Sequence, residues 1–315
     1  MARRIEVAVI GAGPAGISAA IFLKRAGVAP VLFENHEVGG LLRNANLVEN
    51  YPGFPEGIGG KELSALFAKQ LEKHSIAIRK SKVSGIGILN SGFRMVTDSG
   101  IYFAKVVILC TGTMPKKTVL EGCSDLIGKR IFYEVASLPP LRGRKKRILI
   151  IGGGDAAFDY SIGLRERGHD VTIISRSKPT CLALLRKRAE RSGIRLLERS
   201  TPVRVREEPD GLLLTLKGGS RGKELRGDYL LIACGRRPNN VLIRYDRDLD
   251  TSAMNRTARA MKDRTSRPPA TVIPGLFMAG DVIRGIHRQT GIAVGDGMLA
   301  AMLAIEFLRG GEVEE

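Results

Sequence analysis

Three glycines near the amino end of the chain have the spacing of a loop that binds a dinucleotide. Gly11, Gly13 and Gly16 form a GxGxxG pattern between the apolar stretch Arg4–Ile10 and a helical stretch. Glycines at these positions allow a tight turn and a close approach of the backbone to a pyrophosphate, whose charge the helix N-terminus favours. Glu34 ends the next predicted strand, where a carboxylate can accept hydrogen bonds from ribose hydroxyls.

The same pattern returns 141 positions later in the chain. Gly152, Gly154 and Ala157 have GxGxxA spacing, after the apolar stretch Lys146–Ile151 and before a helical stretch and the strand-like stretch His169–Ser175. Two complete strand–loop–helix–strand units predict two dinucleotide sites. The economical interpretation is one flavin and one nicotinamide nucleotide, and the alternative is a second unit kept only as scaffold.

The end of the second unit's second strand decides which nicotinamide nucleotide it favours. An acidic residue there would bind the ribose 2′-hydroxyl of NADH, and a basic residue would bind the 2′-phosphate of NADPH. The sequence has Ser175, Arg176, Ser177 and Lys178, with no acid among them. This pattern favours NADP(H) over NAD(H).

Further strands would complete the two nucleotide-binding domains. Val106–Lys117 and Tyr229–Asn240 are each apolar runs that end in a glycine turn, and Ile273–Val282 predicts a strand that delivers Gly280 and Asp281 to a turn. A glycine-opened apolar helix follows. The side chains at helical spacing on that helix are expected in the core: Met298, Met302 and Leu303.

This order of elements predicts an α/β protein with two Rossmann-like three-layer nucleotide-binding domains. The first glycine loop and the carboxyl-terminal turn belong to one domain, so the second unit is inserted into it. We expect an FAD-binding domain formed by residues 1–117 and 241–315 and an NAD(P)-binding domain formed by residues 118–240. The charged segment Arg244–Pro269 is predicted to be a surface loop.

The chain is strongly basic, with a net charge of +18 and a pI near 10.1. Residues 118–240 alone contain 25 basic and 14 acidic side chains. Such a field attracts acidic partners. These could be an electron-carrier protein, a phosphorylated cofactor, another subunit or nucleic acid, or the charge could only solubilise the protein. No recognised nucleic-acid module is present, so nucleic acid is not expected as a partner.

The cysteine spacing and the apolar runs indicate whether a metal site, a signal peptide or a membrane span is to be expected. Cys110, Cys123, Cys181 and Cys234 are separated by 13, 58 and 53 positions, which fits neither a zinc site nor a CxxC pair. No metal site is therefore expected. The amino-terminal apolar run is interrupted by glycines and a proline and has no cleavage signal, so we expect neither a signal peptide nor a membrane span, and a cytoplasmic protein.

Several motifs together resemble the low-molecular-weight thioredoxin reductase family of flavoproteins. In chain order they are GAGPAG, VGGLL, VENYPGFPEGIGGKEL, GGGDAA, GRRPN, PGLFMAGDV, HRQ and AVGDGMLAA. The resemblance covers nearly the whole chain. It implies bound FAD, a pyridine-nucleotide domain and, usually, a homodimer.

The resemblance also implies roles for individual residues. Those expected along FAD are Gly11, Gly13, Pro14, Ala15, Gly16, Glu34, Gly40, Leu41, Asn50, Thr111, Gly112, Gly280, Asp281, Arg288 and Gln289. Those expected at the nicotinamide nucleotide are Gly152, Gly154, Asp155, Ala156, Arg176 and Gly235. The chain departs from the family pattern at Leu41 (often glutamine), Ser177 (a second arginine in NADPH-specific members) and His287 (tyrosine).

His287 is the one candidate catalytic residue, because the resemblance puts it beside the flavin. An imidazole there could donate a proton to reduced flavin. Packing or a structural hydrogen bond is the alternative role.

The largest departure lies before the second glycine loop. Members that reduce thioredoxin carry a CxxC there, whereas positions 134–137 read Glu-Val-Ala-Ser. Thiol–disulfide exchange requires a thiolate, which these side chains cannot supply. A flavin can instead release electrons one at a time.

We therefore expect an FAD-dependent NAD(P)H oxidoreductase without a dithiol. It would exchange electrons with a ferredoxin- or flavodoxin-like carrier or an iron–sulfur partner subunit, as do ferredoxin–NADP reductases of this fold that lack the CxxC. The first alternative is a flavin reductase or diaphorase that acts on a small molecule such as a quinone. The second is a flavin relay subunit with a vestigial nucleotide domain.

Overall fold

Strands and helices alternate along the chain, and its computed structural model describes residues 2–141, 143, 145–217, 223–239, 271 and 273–310. The predicted domain crossing near Asn240 and the predicted loop Arg244–Pro269 lie outside the described residues. The chain divides into two units. Unit 1 comprises Met1–Arg43, Glu49–Met114 and Arg237–Glu315, and unit 2 comprises Asn44–Val48 and Pro115–Arg236.

Unit 1 is built on a seven-stranded sheet. Its strands are β1 (Arg3–Ile10), β2 (Pro30–Glu34), β3 (Ala77–Lys80), β4 (Val83–Leu89), β5 (Gly92–Thr97), β6 (Gly100–Leu109) and β17 (Leu276–Met278). The strand order is β3-β2-β1-β6-β5-β4, and β17 pairs with β6. Strands β4, β5 and β6 pair antiparallel and the remaining pairs are parallel. Apolar runs such as VAVI in β1 and VVIL in β6 are buried, as the centre of a covered parallel sheet requires.

Three helices belong to the part of unit 1 that the structure describes. They are α1 (Pro14–Arg25), α2 (Gly60–Lys73) and α5 (Thr290–Leu308), and short 3₁₀ turns occur at Gly40–Asn44 and Gly280–Val282. The strand predicted within Ile273–Val282 is confirmed as β17, and the turn predicted to contain Gly280 and Asp281 is the 3₁₀ turn Gly280–Val282.

Helix α5 has two faces. Its alanines at 293, 300, 301 and 304 are buried. Met298 and Met302, which were predicted in the core, are instead 42% and 43% exposed. Within the described part of the chain, α5 is the one helix long and apolar enough to cross a membrane by length and composition, a test that core helices also pass.

Unit 2 contains a second parallel sheet. Its strands are β8 (Ile131–Phe132), β9 (Arg147–Ile151), β10 (Asp170–Ile174), β11 (Arg195–Leu197) and β15 (Tyr229–Ile232), in the order β11-β10-β9-β15-β8. Helices α3 (Asp155–Glu166) and α4 (Ala183–Arg191) pack on one face. The other face packs against an antiparallel sheet of β12 (Thr201–Glu208), β13 (Gly211–Lys217) and β14 (Lys223–Gly227). Unit 2 therefore has three layers.

Two short strands lie where the chain passes between the units. They are β7 (Thr113–Pro115) and β16 (Arg236–Pro238), which pair with each other. The carboxyl ends of the parallel strands are the points that matter for function, since ligands of such sheets bind there.

Candidate nucleotide-binding sites

Each glycine of the first loop is needed for a different reason. A Cβ on Gly11, whose φ is +104°, would lie 2.3 Å from the Cys110 carbonyl oxygen, and one on Gly16 would lie 1.8 Å from the Gly11 carbonyl oxygen. Nothing lies within 4 Å of the corresponding point at Gly13. The outer glycines therefore permit close packing of strand and helix, and Gly13 leaves open space at the start of α1 for a pyrophosphate.

Glu34 holds this loop in place from the end of β2. Its Oε2 accepts a hydrogen bond from the Ala12 amide at 2.7 Å, and its Oε1 accepts one from the His36 amide at 2.8 Å. Each carboxylate oxygen has a second acceptor position for a ribose hydroxyl. Pro14, at the first position of α1, removes an amide that would have no partner there.

Two neighbouring segments approach the first loop. Gly40, at φ +54°, would bring a Cβ to 3.2 Å from the Gly13 Cα, so the turn that contains Leu41 runs beside the loop. Thr111 and Gly112 follow β6 and are hydrogen-bonded to Asn239. The Thr111 hydroxyl donates to the Asn239 carbonyl at 2.5 Å, and the Asn239 backbone amide donates to the Gly112 carbonyl at 3.0 Å. The Asn239 side-chain amide also donates to the Thr111 carbonyl at 3.4 Å, so Asn239 bonds this segment through both main chain and side chain.

The carboxyl-terminal turn of unit 1 meets the same helix end. A Cβ on Gly280 would lie 2.8 Å from the Ala15 Cβ, and one on Gly297 would lie 2.0 Å from the Ala15 carbonyl oxygen. Asp281 follows Gly280 in this turn. The first glycine loop, Ala15 and the turn of Asp281 are therefore in contact.

Asp296 fastens this turn and was missed by the sequence analysis. It is 5% exposed, and its Oδ2 accepts hydrogen bonds from the Gly280 amide at 3.2 Å and from Arg284 Nε at 2.8 Å. Its charge and, above all, burial raise the pKa of the Cys110 thiol, which is therefore protonated and inert. The available signal was an acid in the middle of an apolar helix, whose other acid, Glu306, lies near its end.

The residues expected at the flavin ring form a smaller cluster. Asn50 Nδ2 donates to Gln289 Oε1 at 2.9 Å. Arg288 Nη1 is buried without a hydrogen-bond partner, so it can donate to an acceptor on a bound group. His287 is exposed, and the described residues offer its ring no hydrogen bond. The open space at Gly13 and the orphaned donor of Arg288 both fit FAD.

The second loop repeats the geometry of the first. A Cβ on Gly152 would lie 2.7 Å from the Ala233 carbonyl oxygen, and the position at Gly154 is open for at least 4 Å. Asp155 begins α3 and its Oδ1 accepts the Leu182 amide at 2.8 Å, while the Gly153 carbonyl accepts the Thr180 amide at 2.8 Å. The segment that follows β10 is therefore tied to the loop.

Other predicted residues lie around this second loop. Ala156 is exposed in the first turn of α3, and Arg176 is exposed directly beyond β10. Gly235 has φ +97°, and its carbonyl accepts the Lys116 amide at 3.1 Å. The guanidinium of Arg176 lowers the pKa of the Cys234 thiol, but burial raises it more, so the net shift is upward. Arg176 thus lies near the end of β15.

The position without a dithiol holds a largely buried ion pair. Glu134 precedes the 3₁₀ turn Val135–Ser137 and pairs with Arg236, with 18% and 21% of their side chains exposed. Its Oε2 has no hydrogen bond, although the Tyr160 phenol lies close enough to influence it. Burial raises the pKa of Glu134 and outweighs the attraction of Arg236, which lowers it.

None of the cysteines lies in this turn or is bonded to another. All four are free, Cys110 and Cys123 are buried, and burial raises the pKa of each thiol. A raised pKa disfavours the thiolate that disulfide exchange needs. The Glu134 turn therefore offers no sulfur chemistry.

Comparison with known proteins shows which family and which relatives this chain is similar to. The family model described as "Pyridine nucleotide-disulphide oxidoreductase" matches residues 5–297. The thioredoxin reductase of Treponema pallidum is 31% identical over 307 residues, covering 96% of this chain and 97% of that protein. That of Mycolicibacterium smegmatis is 29% identical over 308 residues, covering 96% of each.

Solved structures agree. The thioredoxin reductase of Lactococcus lactis superposes with a TM-score of 0.84 at 29% identity, covering 97% of this chain and 99% of that one. That of T. acidophilum has a TM-score of 0.82 at 28% identity, with 98% and 100% covered. The predicted fold class is confirmed: two Rossmann-like domains, with the NAD(P) domain inserted into the FAD domain.

Proposed function

This chain belongs to the pyridine nucleotide-disulphide oxidoreductase family and is an FAD- and NAD(P)H-dependent oxidoreductase of the thioredoxin reductase type, and from that premise we propose that it exchanges electrons between NAD(P)H and a protein electron carrier without a dithiol. The carrier would be ferredoxin- or flavodoxin-like, or an iron–sulfur subunit. NADPH is the proposed nucleotide, because Arg176 and Lys178 follow β10 without an acid beside them in the sequence.

The ion pair of Glu134 with Arg236 is the observation that carries this proposal. A disulfide reductase of this type needs two thiols at the turn, and here the turn has a carboxylate, two apolar side chains and a hydroxyl. The relatives named above are thioredoxin reductases, so the carrier is inferred from this substitution and not from them.

The chain's own residues have defined tasks in this reaction. Gly13 and Glu34 would hold the pyrophosphate and adenosine of FAD, Asn50 and Gln289 would lie along its ring, and Arg288 would donate a hydrogen bond to it. When bound, FAD supplies acceptance of a hydride and release of single electrons. Gly152, Gly154 and Arg176 would orient the nicotinamide nucleotide in unit 2.

The proposed partners follow from charge and from one apolar face. The excess of basic side chains in residues 118–240 suits an acidic carrier and speeds its encounter at low salt. A homodimer would cover the exposed apolar side chains of α5, among them Ile292, Leu299 and Met302. The proposed location is the cytoplasm.

Anaerobic stopped-flow absorbance tests the proposal on the FAD-loaded protein. NADPH, or more slowly NADH, should bleach the flavin, and added oxidised ferredoxin or flavodoxin should restore its colour. Thioredoxin disulfide should not. Turnover of thioredoxin disulfide as fast as of any carrier would refute the proposal, and faster turnover of a quinone would favour the diaphorase. Absence of bleaching by both nucleotides would favour the relay subunit.

A further inference from the structure

Arg199 has a left-handed backbone conformation in the short connection between β11 and β12. Its φ is +51°, a left-handed conformation that side-chain-bearing residues seldom adopt. The other described non-glycine residue with positive φ, Ser75, follows helix α2, where a left-handed residue commonly ends a helix. Arg199 instead lies in the three-residue turn that joins β11 to β12. Strain of this kind persists where the surroundings impose it, and it concentrates at functional sites.

Hydrogen bonds place this strained residue beside the proposed 2′-phosphate site. Strand β11 pairs with β10, the Ser175 amide donates to the Leu197 carbonyl at 2.9 Å, and the Ser200 amide donates to the Ser175 carbonyl at 3.0 Å. The backbone therefore passes from β11 through Arg199 directly against the residue that precedes Arg176.

The same corner is joined to the second glycine loop. A Cβ on Gly153 would lie 2.4 Å from Ser175 Oγ, and the Thr180 amide bonds the Gly153 carbonyl. The ends of β9, β10 and β11 thus form one continuous edge. A dinucleotide whose pyrophosphate lies at Gly154 would have its adenosine ribose over the ends of β10 and β11.

The charges at this edge are not balanced by acids. Arg176, Lys178 and Arg199 are exposed, and none of them forms an ion pair with another described residue. The nearest acid along the chain, Glu198, is paired with Arg186 at 3.1 Å, and the same guanidinium binds Glu190 at 3.0 Å. Three cations without acidic partners at one edge suit a ligand that carries two negative charges.

We propose that Arg199 supplies the second cation for the 2′-phosphate of NADPH, in place of the arginine that Ser177 replaces. Ser177 is short and uncharged, and its hydroxyl bonds the Lys178 carbonyl at 3.4 Å. Arg199 is exposed just beyond the end of β11, the strand beside β10, from where its long side chain would reach the same ribose. The inference rests on the proposed use of a nicotinamide nucleotide.

Calorimetry with adenosine 2′,5′-bisphosphate tests this inference without flavin chemistry. The substitution Arg199→Asn removes the cation, and asparagine tolerates a left-handed backbone better than most residues. Its affinity for adenosine 2′,5′-bisphosphate should fall about tenfold, as expected for losing a charge-assisted hydrogen bond. Its affinity for 5′-AMP should stay within about twofold, because AMP lacks the 2′-phosphate.

Two further variants control for charge and fold. Arg195→Gln removes another exposed arginine of β11, four residues earlier, and should leave both affinities unchanged. Ser177→Arg placed in the Arg199→Asn protein should recover most of the lost affinity. An unchanged melting temperature for each variant shows that the domain is folded.

The outcomes separate this inference from the proposed function. Equal losses in Arg199→Asn and Arg195→Gln, or no loss in Arg199→Asn, would overturn the role of Arg199. Tighter binding of 5′-AMP than of the bisphosphate by the unaltered protein would overturn it together with the NADPH preference. Flavin bleaching by NADH, followed by return of its colour on addition of oxidised ferredoxin or flavodoxin, would then still support the proposed function.

Discussion

We predict that the two partners of the Glu134–Arg236 ion pair contribute unequally to the free energy of unfolding. Burial raises the pKa of Glu134 in spite of Arg236, so the folded protein favours the neutral acid more than the unfolded chain does. Glu134→Gln resembles that neutral acid. It should therefore change the free energy of unfolding by less than about 1 kcal/mol at neutral pH.

Arg236→Gln should lower the free energy of unfolding far more than Glu134→Gln does. It leaves a carboxylate that is 18% exposed without its charge partner, and removal of one partner of a buried pair costs about 3 kcal/mol. The loss of Arg236 also raises the pKa of Glu134 further. A group with a raised folded-state pKa stabilises the protein at low pH and ceases to do so as the pH rises through that pKa. The defect should therefore shrink as the pH falls towards 5.

Urea unfolding of the FAD-loaded protein followed by circular dichroism measures both effects. The variants Glu134→Gln, Arg236→Gln and the double variant are compared with the unaltered protein at pH 7.5 and pH 5. The double variant should recover much of what Arg236→Gln loses, because no unpaired carboxylate remains. A Glu134→Gln variant as unstable as Arg236→Gln at pH 7.5 would refute the reasoning, since attraction would then exceed the cost of burial.

Four other substitutions test the first loop, a buried acid and the turn at Gly280. Gly13→Ala should keep the unfolding midpoint but lower the FAD content measured by absorbance. Gly11→Ala should lower the free energy of unfolding by at least about 2 kcal/mol, because its Cβ meets a backbone oxygen at 2.3 Å. Equal FAD content in Gly13→Ala and the unaltered protein would count against a role of this loop in binding FAD. Burial raises the pKa of Asp159 to about 6, so the free energy of unfolding should fall as the pH rises from 5 to 7.5, and Asp159→Asn should remove about 1.4 kcal/mol of that fall; an unchanged pH dependence in urea would contradict this. Asp296→Ala should lower the free energy of unfolding in urea by about 3 kcal/mol and also lower the FAD content, because Arg284 and the Gly280 amide lose a buried acceptor. A normal FAD content would show that Asp296 does not position this turn for FAD.

Local patterns in the sequence were sufficient for the two loops. Glycine spacing and the apolar runs before each loop are short-range signals, and α1 and α3 begin within each motif as expected. The pairing of Glu134 with Arg236 joins residues 102 positions apart, and no local periodicity encodes such a contact. Asp296 and Arg199 were missed for the same reason, because their importance arises from a neighbouring turn and a neighbouring strand. The exposure of Met298 shows the opposite error, since helical spacing does not state which face is covered.

The two loops use their glycines in the same way, so the glycines alone do not determine which dinucleotide each one takes. In both loops the first glycine (Gly11 or Gly152) packs against a backbone carbonyl, and the second glycine of the pattern (Gly13 or Gly154) leaves open space. The loops differ at the end of the next strand, where the first unit has Glu34 hydrogen-bonded to its own loop and the second has Arg176 with no acid beside it. A carboxylate suits ribose hydroxyls and repels a phosphate, and a guanidinium does the reverse. We therefore propose that this pair of side chains, placed by equivalent strands, directs FAD to the first unit and the nicotinamide nucleotide to the second.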